Sequence, residues 1–233
     1  IESDVQYAYA GGYAGFGYSF ENCHNASDIT YSGSGARIGG IVGYVNGAFT
    51  NCSNTGTITA LTSDAVGGVS GYAEYSGSIT FTNIKNSGAV TGADYVGGVI
   101  GCIYGNKEVG YNDFNATVTL TAMENSGEIT GNNKVGGILG YGYLNSSHSG
   151  YHTSLFKLSA TRLTNSGDIT GQSYVGGLFG HAYSDDSSSA VTEGSSSGAV
   201  SAEYYVGGLA GRIERIKGTD CSNAGTSVTA TGY

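Results

Sequence analysis

One segment constrains this chain more than any other: YVGGLFG at Tyr174–Gly180. It returns six more times, as AGGYAG (10–15), IGGIVG (38–43), VGGVSG (66–71), VGGVIG (96–101), VGGILG (135–140) and VGGLAG (206–211). The first glycine of each pair falls at 11, 39, 67, 97, 136, 176 and 207, so the intervals are 28, 28, 30, 39, 40 and 31 residues. Self-similarity at such a period marks units that stack and bury a common core that no unit could bury alone. A second motif precedes the next glycine pair. It reads NSGAVTG (86–92), NSGEITG (125–131) and NSGDITG (165–171), with degenerate copies beginning at Asn25, Asn54, Ser196 and Asn223. Two motifs keep a fixed order through the whole chain.

Between the motifs, β-branched and aromatic residues alternate with Gly, Asn and Ser punctuation, as strands and turns do. No stretch carries helix start and stop signals over a helix-length apolar period. Three short strands are expected in each coil: one after the glycine pair (176–184), one around SITFTNI (78–84), and one at the Ile-Thr pair. The reading is all-β: a right-handed parallel β-helix, or β-solenoid, of about seven coils, forming one domain over 1–233, with its hand set by the rule for parallel crossovers. Ile29, Ile58, Val90, Ile129, Ile169, Val200 and Val228 predict one inward column. Tyr13, Ile41, Val69, Val99, Ile138, Leu178 and Leu209 predict another, and Phe20, Phe49 and Phe81 start a third. The recurring asparagines predict a hydrogen-bonded ladder at a turn.

The G-G-[LIV]-x-G core following N-S-G-x-[IV]-T-G resembles the GLUG repeat of bacterial surface proteins, over essentially the whole chain. Such repeats accompany some immunoglobulin A peptidases and many adhesin-like proteins. The resemblance implies an extracellular or cell-surface β-solenoid, and it carries over no catalytic residue.

Composition supports an ordered array. Forty-two glycines occur with no proline; disordered Gly-rich tracts usually contain Pro, and stacked inner strands exclude it. Nine Lys+Arg against 18 Asp+Glu give a net charge of −9, which argues against tracking a nucleic-acid backbone. No apolar run reaches the ~20 residues of a membrane helix. Cys23, Cys52 and Cys221 share one repeat position and Cys102 another. Free thiols filling an apolar column are expected; the alternative is a Cys23–Cys52 bridge, which parallel Cβ vectors would strain.

Chemical motifs are weak. His148 and His152 have metalloprotease spacing but lack the Glu of H-E-x-x-H and flank Gly150 in a loop. Asp28, Glu128 and Asp168 share a column that Thr57, Ala89, Ala199 and Ser227 interrupt. Asp185–Asp186 lies in a Ser-rich run (184–189) that reads as a solvated loop. A threonine column (Thr30, Thr59, Thr91, Thr130, Thr170, Thr229, with Ser201 between) lacks the second column an ice-binding face needs. No metal or cofactor is expected.

The strongest surface signal is aromatic. If Leu178 points inward, strict alternation places Phe179, His181 and Tyr183 outward. The equivalent outward columns are Phe16, Tyr44, Tyr72, Cys102, Tyr141, His181, Arg212, and Tyr18, Asn46, Glu74, Tyr104, Tyr143, Tyr183, Glu214. Tyrosine offers large contact area with a polar tip. Tyr104, Tyr141, Tyr143, Tyr183 and His181 are the candidate site, beside the insertions around 102–116 and 141–154. The expected function is a non-enzymatic, adhesin-like module binding host glycan or extracellular protein; the alternative is a β-helix polysaccharide lyase or hydrolase. The chain stops where another glycine pair is due, which predicts further repeats or a capping domain in a longer protein.

Overall fold

The computed structural model describes residues 8–74, 77–108, 115–147 and 155–232, and these hold strands and turns with no helix. The chain passes through four parallel sheets in a fixed order, seven times. Sheet 1 ends on the first glycine of each pair, as in Asp94–Gly97 and Ser173–Gly176. Sheet 2 follows the pair, as in Ile100–Glu108 and Phe179–Ser184. Sheet 3 carries the phenylalanine and cysteine columns, as in Ile79–Asn86 and Leu155–Asn165. Sheet 4 is the Ile-Thr pair, as in Val90–Gly92 and Ile169–Thr170.

A coil therefore has four strands where the sequence predicts three. The fourth is sheet 1. In its later coils Tyr95, Lys134, Tyr174 and Tyr205 adopt positive φ (52° to 55°) and drop out of the pairing, which joins Asp94 to Asn133 and Val96 to Val135. A β-bulge of this kind breaks the two-residue period by which strands are recognised. A second bulge column crosses sheet 3, at Asn22, Asn51, Asn83, Ala122, Arg162, Glu193 and Asp220.

The two motifs meet across the coil. Asn25, Asn54, Asn86, Asn125 and Asn165 are buried, and each side chain reaches the next coil. Asn54 Nδ2 donates to Asn86 Oδ1 at 2.9 Å, Asn86 to Asn125 at 2.8 Å and Asn125 to Asn165 at 2.7 Å. Each Nδ2 also donates to a carbonyl two residues on, such as Gly127 O at 2.9 Å from Asn125. Facing this ladder is the second glycine of every pair. A Cβ on Gly98 would lie 2.4 Å from Asn125 Cγ, and one on Gly137 equally close to Asn165 Cγ. Glycine is needed here for close approach. This waist separates two apolar columns: one between sheets 2 and 3 (Phe81, Leu120, Ile138, Phe156), the other between sheets 1 and 4 (Ile38, Val66, Val90, Ile129, Ile169).

The predicted inward columns are buried, except in the end coils, where Tyr13 is 56% and Val228 44% exposed. Phe20, Phe49 and Phe81 stack with ring centroids 5.1 and 5.3 Å apart. All four cysteines are free thiols; Cys23, Cys52 and Cys221 lie in the inward column of sheet 3 with Ile84, Met123 and Leu163. Two expectations are corrected. Phe179 points inward and is buried, because the corner residue Leu178 and the first strand residue both face the core. The alternation restarts after Gly180, whose missing Cβ lets Val135 N of the preceding coil approach. The Ser-rich run is not simply solvated: Ser184 and Ser189 are fully buried, sharing a 2.7 Å hydrogen bond, and Leu158 N donates to Ser189 Oγ. The insertions extend sheets 2 and 3 into strands of nine and eleven residues. His148 and His152 lie outside the described residues.

The inner column of sheet 2 runs Val45, Ala73, Ile103, Gly142, Ala182. Gly142 borders a small apolar void with Ile103, Leu139 and Leu158. The nearest atoms to a Cβ there would be the tip of Leu139 (Cδ2, 3.0 Å), then Ala182 Cβ at 3.8 Å and Cα at 3.9 Å. Gly142→Ala is expected to stabilise the chain by about 1 kcal/mol, by restricting the unfolded state and filling space. Denaturant titration checks this; a loss of stability would show that Leu139 cannot yield.

Candidate functional site

Sheet 2 places its outer columns as alternation predicts beyond Gly180. Backbone pairing joins Tyr72 to Cys102, Cys102 to Tyr141, Tyr141 to His181 and His181 to Arg212. A parallel column joins Glu74, Tyr104, Tyr143, Tyr183 and Glu214. The five predicted side chains come together. Tyr104 and Tyr143 stack at 5.5 Å between centroids, as do Tyr143 and Tyr183. Tyr141 lies 6.0 Å from Tyr143 and 5.4 Å from His181. Such pairs add about 0.5–1.5 kcal/mol each beyond area burial. Stacked rings spend their faces on each other, so this ridge offers edges and hydroxyls; Tyr143 Oη accepts from Asn145 Nδ2 at 3.0 Å.

The sequence reading missed the contribution of sheet 1. Its bulge turns a second file of large side chains onto the ridge. Tyr95 packs on Tyr141 at 5.0 Å, and Tyr174 packs on His181 at 5.6 Å and on Tyr205 at 4.5 Å. Lys134 sits between, its Nζ 3.8 Å from the Tyr141 ring centre and 4.6 Å from that of Tyr95. Burial lowers its pKa. Arg37 lies 3.6 Å over Tyr72. The signal was present: the residue before each later Val-Gly-Gly is Tyr, Lys, Tyr or Tyr. Cys102 stands in an outward column yet is buried, close enough to Tyr72, Tyr95 and Tyr141 to influence their ionisation. Burial pushes its thiol up to about 12, so it stays protonated near neutral pH.

One end of the ridge is a charged cluster. Glu214 Oε1 lies 2.9 Å from both His181 Nε2 and Arg212 Nε. His181 Nδ1 is buried with no hydrogen-bond partner among the described residues. Burial holds the His181 pKa below 6.5, outweighing Glu214. The unfolded chain therefore takes up this proton first as pH falls. Stability from neutral His181 is complete above the unfolded value and is lost as pH drops below about 6.5. A melting temperature that falls through this range, and a fall reduced in His181→Phe, are the expected results; an unchanged slope would exclude His181 as the group.

The carboxylate positions do structural work. Asp28 and Asp168 each accept a backbone N–H from the next coil, from Thr57 and Ala199, at 2.8 Å. Asp185 accepts from Phe156 N at 2.7 Å. Among the described residues no three His, Cys, Asp or Glu side chains gather as a metal site. A shallow polar groove of about 400 Å³ follows the corner between sheets 3 and 4, past Ser87, Ser126, Ser166 and the Lys85–Glu124 pair.

The GLUG motif matches residues 34–59. The chain carries a GLUG motif. The matched span is one coil, from Arg37–Gly39 of sheet 1 to the start of the sheet 4 strand Ile58–Ala60. It contains Gly40 and Asn54, the two sides of the waist. The GLUG motif marks a repeat module of bacterial surface proteins and is associated with extracellular ones. No curated protein and no solved structure matches the chain. No described helix is long and apolar enough to cross a membrane.

Proposed function

We propose that the chain is a non-enzymatic, adhesin-like module of a secreted or cell-surface protein, presenting its ridge to a host glycan or extracellular protein. The observation that carries this reading is the continuous Tyr104–Tyr143–Tyr183 stack beside Tyr141 and His181. It sets rigid, half-buried tyrosines at strand spacing on the outer face of one sheet. Rigid aromatic rows bind at low entropic cost and dominate recognition surfaces. The cations Lys134 and Arg212 beside the rings favour an acidic or strongly polar partner over an apolar one. Immobilised protein screened against glycans and extracellular matrix proteins tests the reading. Tyr141→Ala with Tyr143→Ala is expected to weaken binding at least tenfold, since hot-spot tyrosines contribute ~2 kcal/mol or more, while the fold persists. A collapse of thermal stability would make the rings structural, and turnover of any polysaccharide would replace the reading with an enzymatic one.

A further inference from the structure

The row of large side chains fails at one place. At the ridge position of sheet 1 the chain reads Tyr9, Arg37, Ala65, Tyr95, Lys134, Tyr174 and Tyr205. Ala65 marks the change from the plain strands Arg37–Gly39 and Ala65–Gly67 to the bulged strand Asp94–Gly97. A concavity of about 250 Å³ results, with Arg37, Asp64, Ala65, Tyr72 and Tyr95 in its wall. That space fits about one sugar ring and is below the usual range for larger ligands.

Its chemistry is specific. The Arg37 guanidinium is held by rings, 3.6 Å from the Tyr72 centroid, 5.1 Å from Tyr44 and 5.3 Å from Tyr9. The ion pairs of the described residues do not include it. An oriented, half-buried fork of N–H donors with no ion-pair partner among the described residues suits a carboxylate, which it binds with two parallel hydrogen bonds. Tyr95 meets Tyr141 and Lys134, both from the following coil. From the preceding coil it faces Ala65 instead of a ring, so one side of Tyr95 has no aromatic partner among the described residues. Asp64 adds an acceptor for hydroxyl groups; burial, and then Asp94, raises its pKa.

We infer that this notch is a binding site for a carboxylated sugar, a uronic or sialic acid unit, with its carboxylate on Arg37, its C–H face on Tyr95 and its hydroxyls donating to Asp64. A neutral hexose leaves Arg37 without its acceptor, and a small inorganic anion leaves the Tyr95 face uncovered. The site shares no residue with the Tyr104–Tyr143–Tyr183 stack, so it stands or falls independently of the function proposed for that stack.

Titration of the intact chain with methyl glucuronide, methyl N-acetylneuraminide and methyl glucoside, followed by NMR, tests the site. Saturable binding of one or both acidic glycosides is expected, about tenfold tighter than the neutral one, the worth of a charged hydrogen bond. The two acidic probes separate uronic from sialic recognition. Ala65→Tyr, which continues the ring column into the notch, is expected to abolish binding. Arg37→Lys, which keeps the charge but loses the fork, is expected to weaken it about tenfold, and this variant carries the test if Ala65→Tyr does not fold. Lys85→Ala, remote from the notch, is expected to bind as the parent does. Absence of saturation by either acidic glycoside at millimolar concentration, equal binding of the glucoside, or parental binding by folded Ala65→Tyr or by Arg37→Lys would each overturn the assignment.

Discussion

Gly137→Ala is expected to be among the most damaging single-methyl additions to this chain. A Cβ there would lie 2.3 Å from Gly177 O and 2.4 Å from Asn165 Cγ. One neighbour is backbone of the next coil. The other is a buried ladder side chain whose Nδ2 donates to Gly167 O and which accepts from Asn125. Neither yields without breaking hydrogen bonds that water cannot replace. Overpacking and a broken buried bond together suggest a cost on the order of 4 kcal/mol. Because each coil contacts mainly its neighbours, the damage should centre on the fifth and sixth coils. Amide hydrogen exchange measures that directly, and protection should be lost there first. Gly77→Ala is the control, since no atom lies within 4 Å of its added Cβ; it should change stability by less than about 0.5 kcal/mol. A mild effect at Gly137 would mean that the ladder can swing aside and that the waist is not rigid.

Asn125→Leu is expected to cost as much by the opposite route. It keeps the volume and removes the polar group. Asn86 Nδ2 then loses an acceptor, and Asn165 Oδ1 and Gly127 O each lose a donor. Three buried polar atoms left without these partners imply about 4 kcal/mol. Asn125→Ser should be milder. Position 196 already carries serine in this column, with its Oγ 3.4 Å from Asn165 Nδ2. Chemical denaturation of the two variants provides the comparison, and a leucine variant as stable as the serine one would contradict the ladder's role.

Of the two features behind these expectations, the asparagine column was legible in the sequence as a coil-to-coil ladder, whereas the glycine pair was legible only as spacing. The glycine pair and the asparagine were visible as two motifs in fixed order. That they touch follows from the third dimension, where the coil brings positions such as 98 and 125 together. The outward columns Tyr72–Cys102–Tyr141–His181 were readable because sheet 2 keeps a simple two-residue alternation beyond its first bulge. Phe179 was misassigned because alternation was counted through Gly180, where the strand holds an extra residue. Sheet 1 was missed because a left-handed residue interrupts a strand of only four residues. That same residue delivers Tyr95, Lys134 and Tyr174 to the ridge, so part of the candidate surface lay in the segment whose period was hidden. Cys102 was placed in the right column, but its burial depends on rings from neighbouring coils that no local pattern reports.

The hydrogen bonds of all four sheets, and those of the asparagine ladder, run in one direction, from coil to coil. Mechanically the molecule is therefore anisotropic. Tension applied around a coil is carried by covalent backbone, which barely extends. Tension applied along the stack loads the rungs in series, so every interface bears the same force and the weakest parts first. Such a body is stiff against squeezing from the side and yields to axial pulling in discrete steps, each lengthening the chain by one coil of about thirty or forty residues. Under flow or traction it would behave as a ratcheted tether that gives up length one coil at a time.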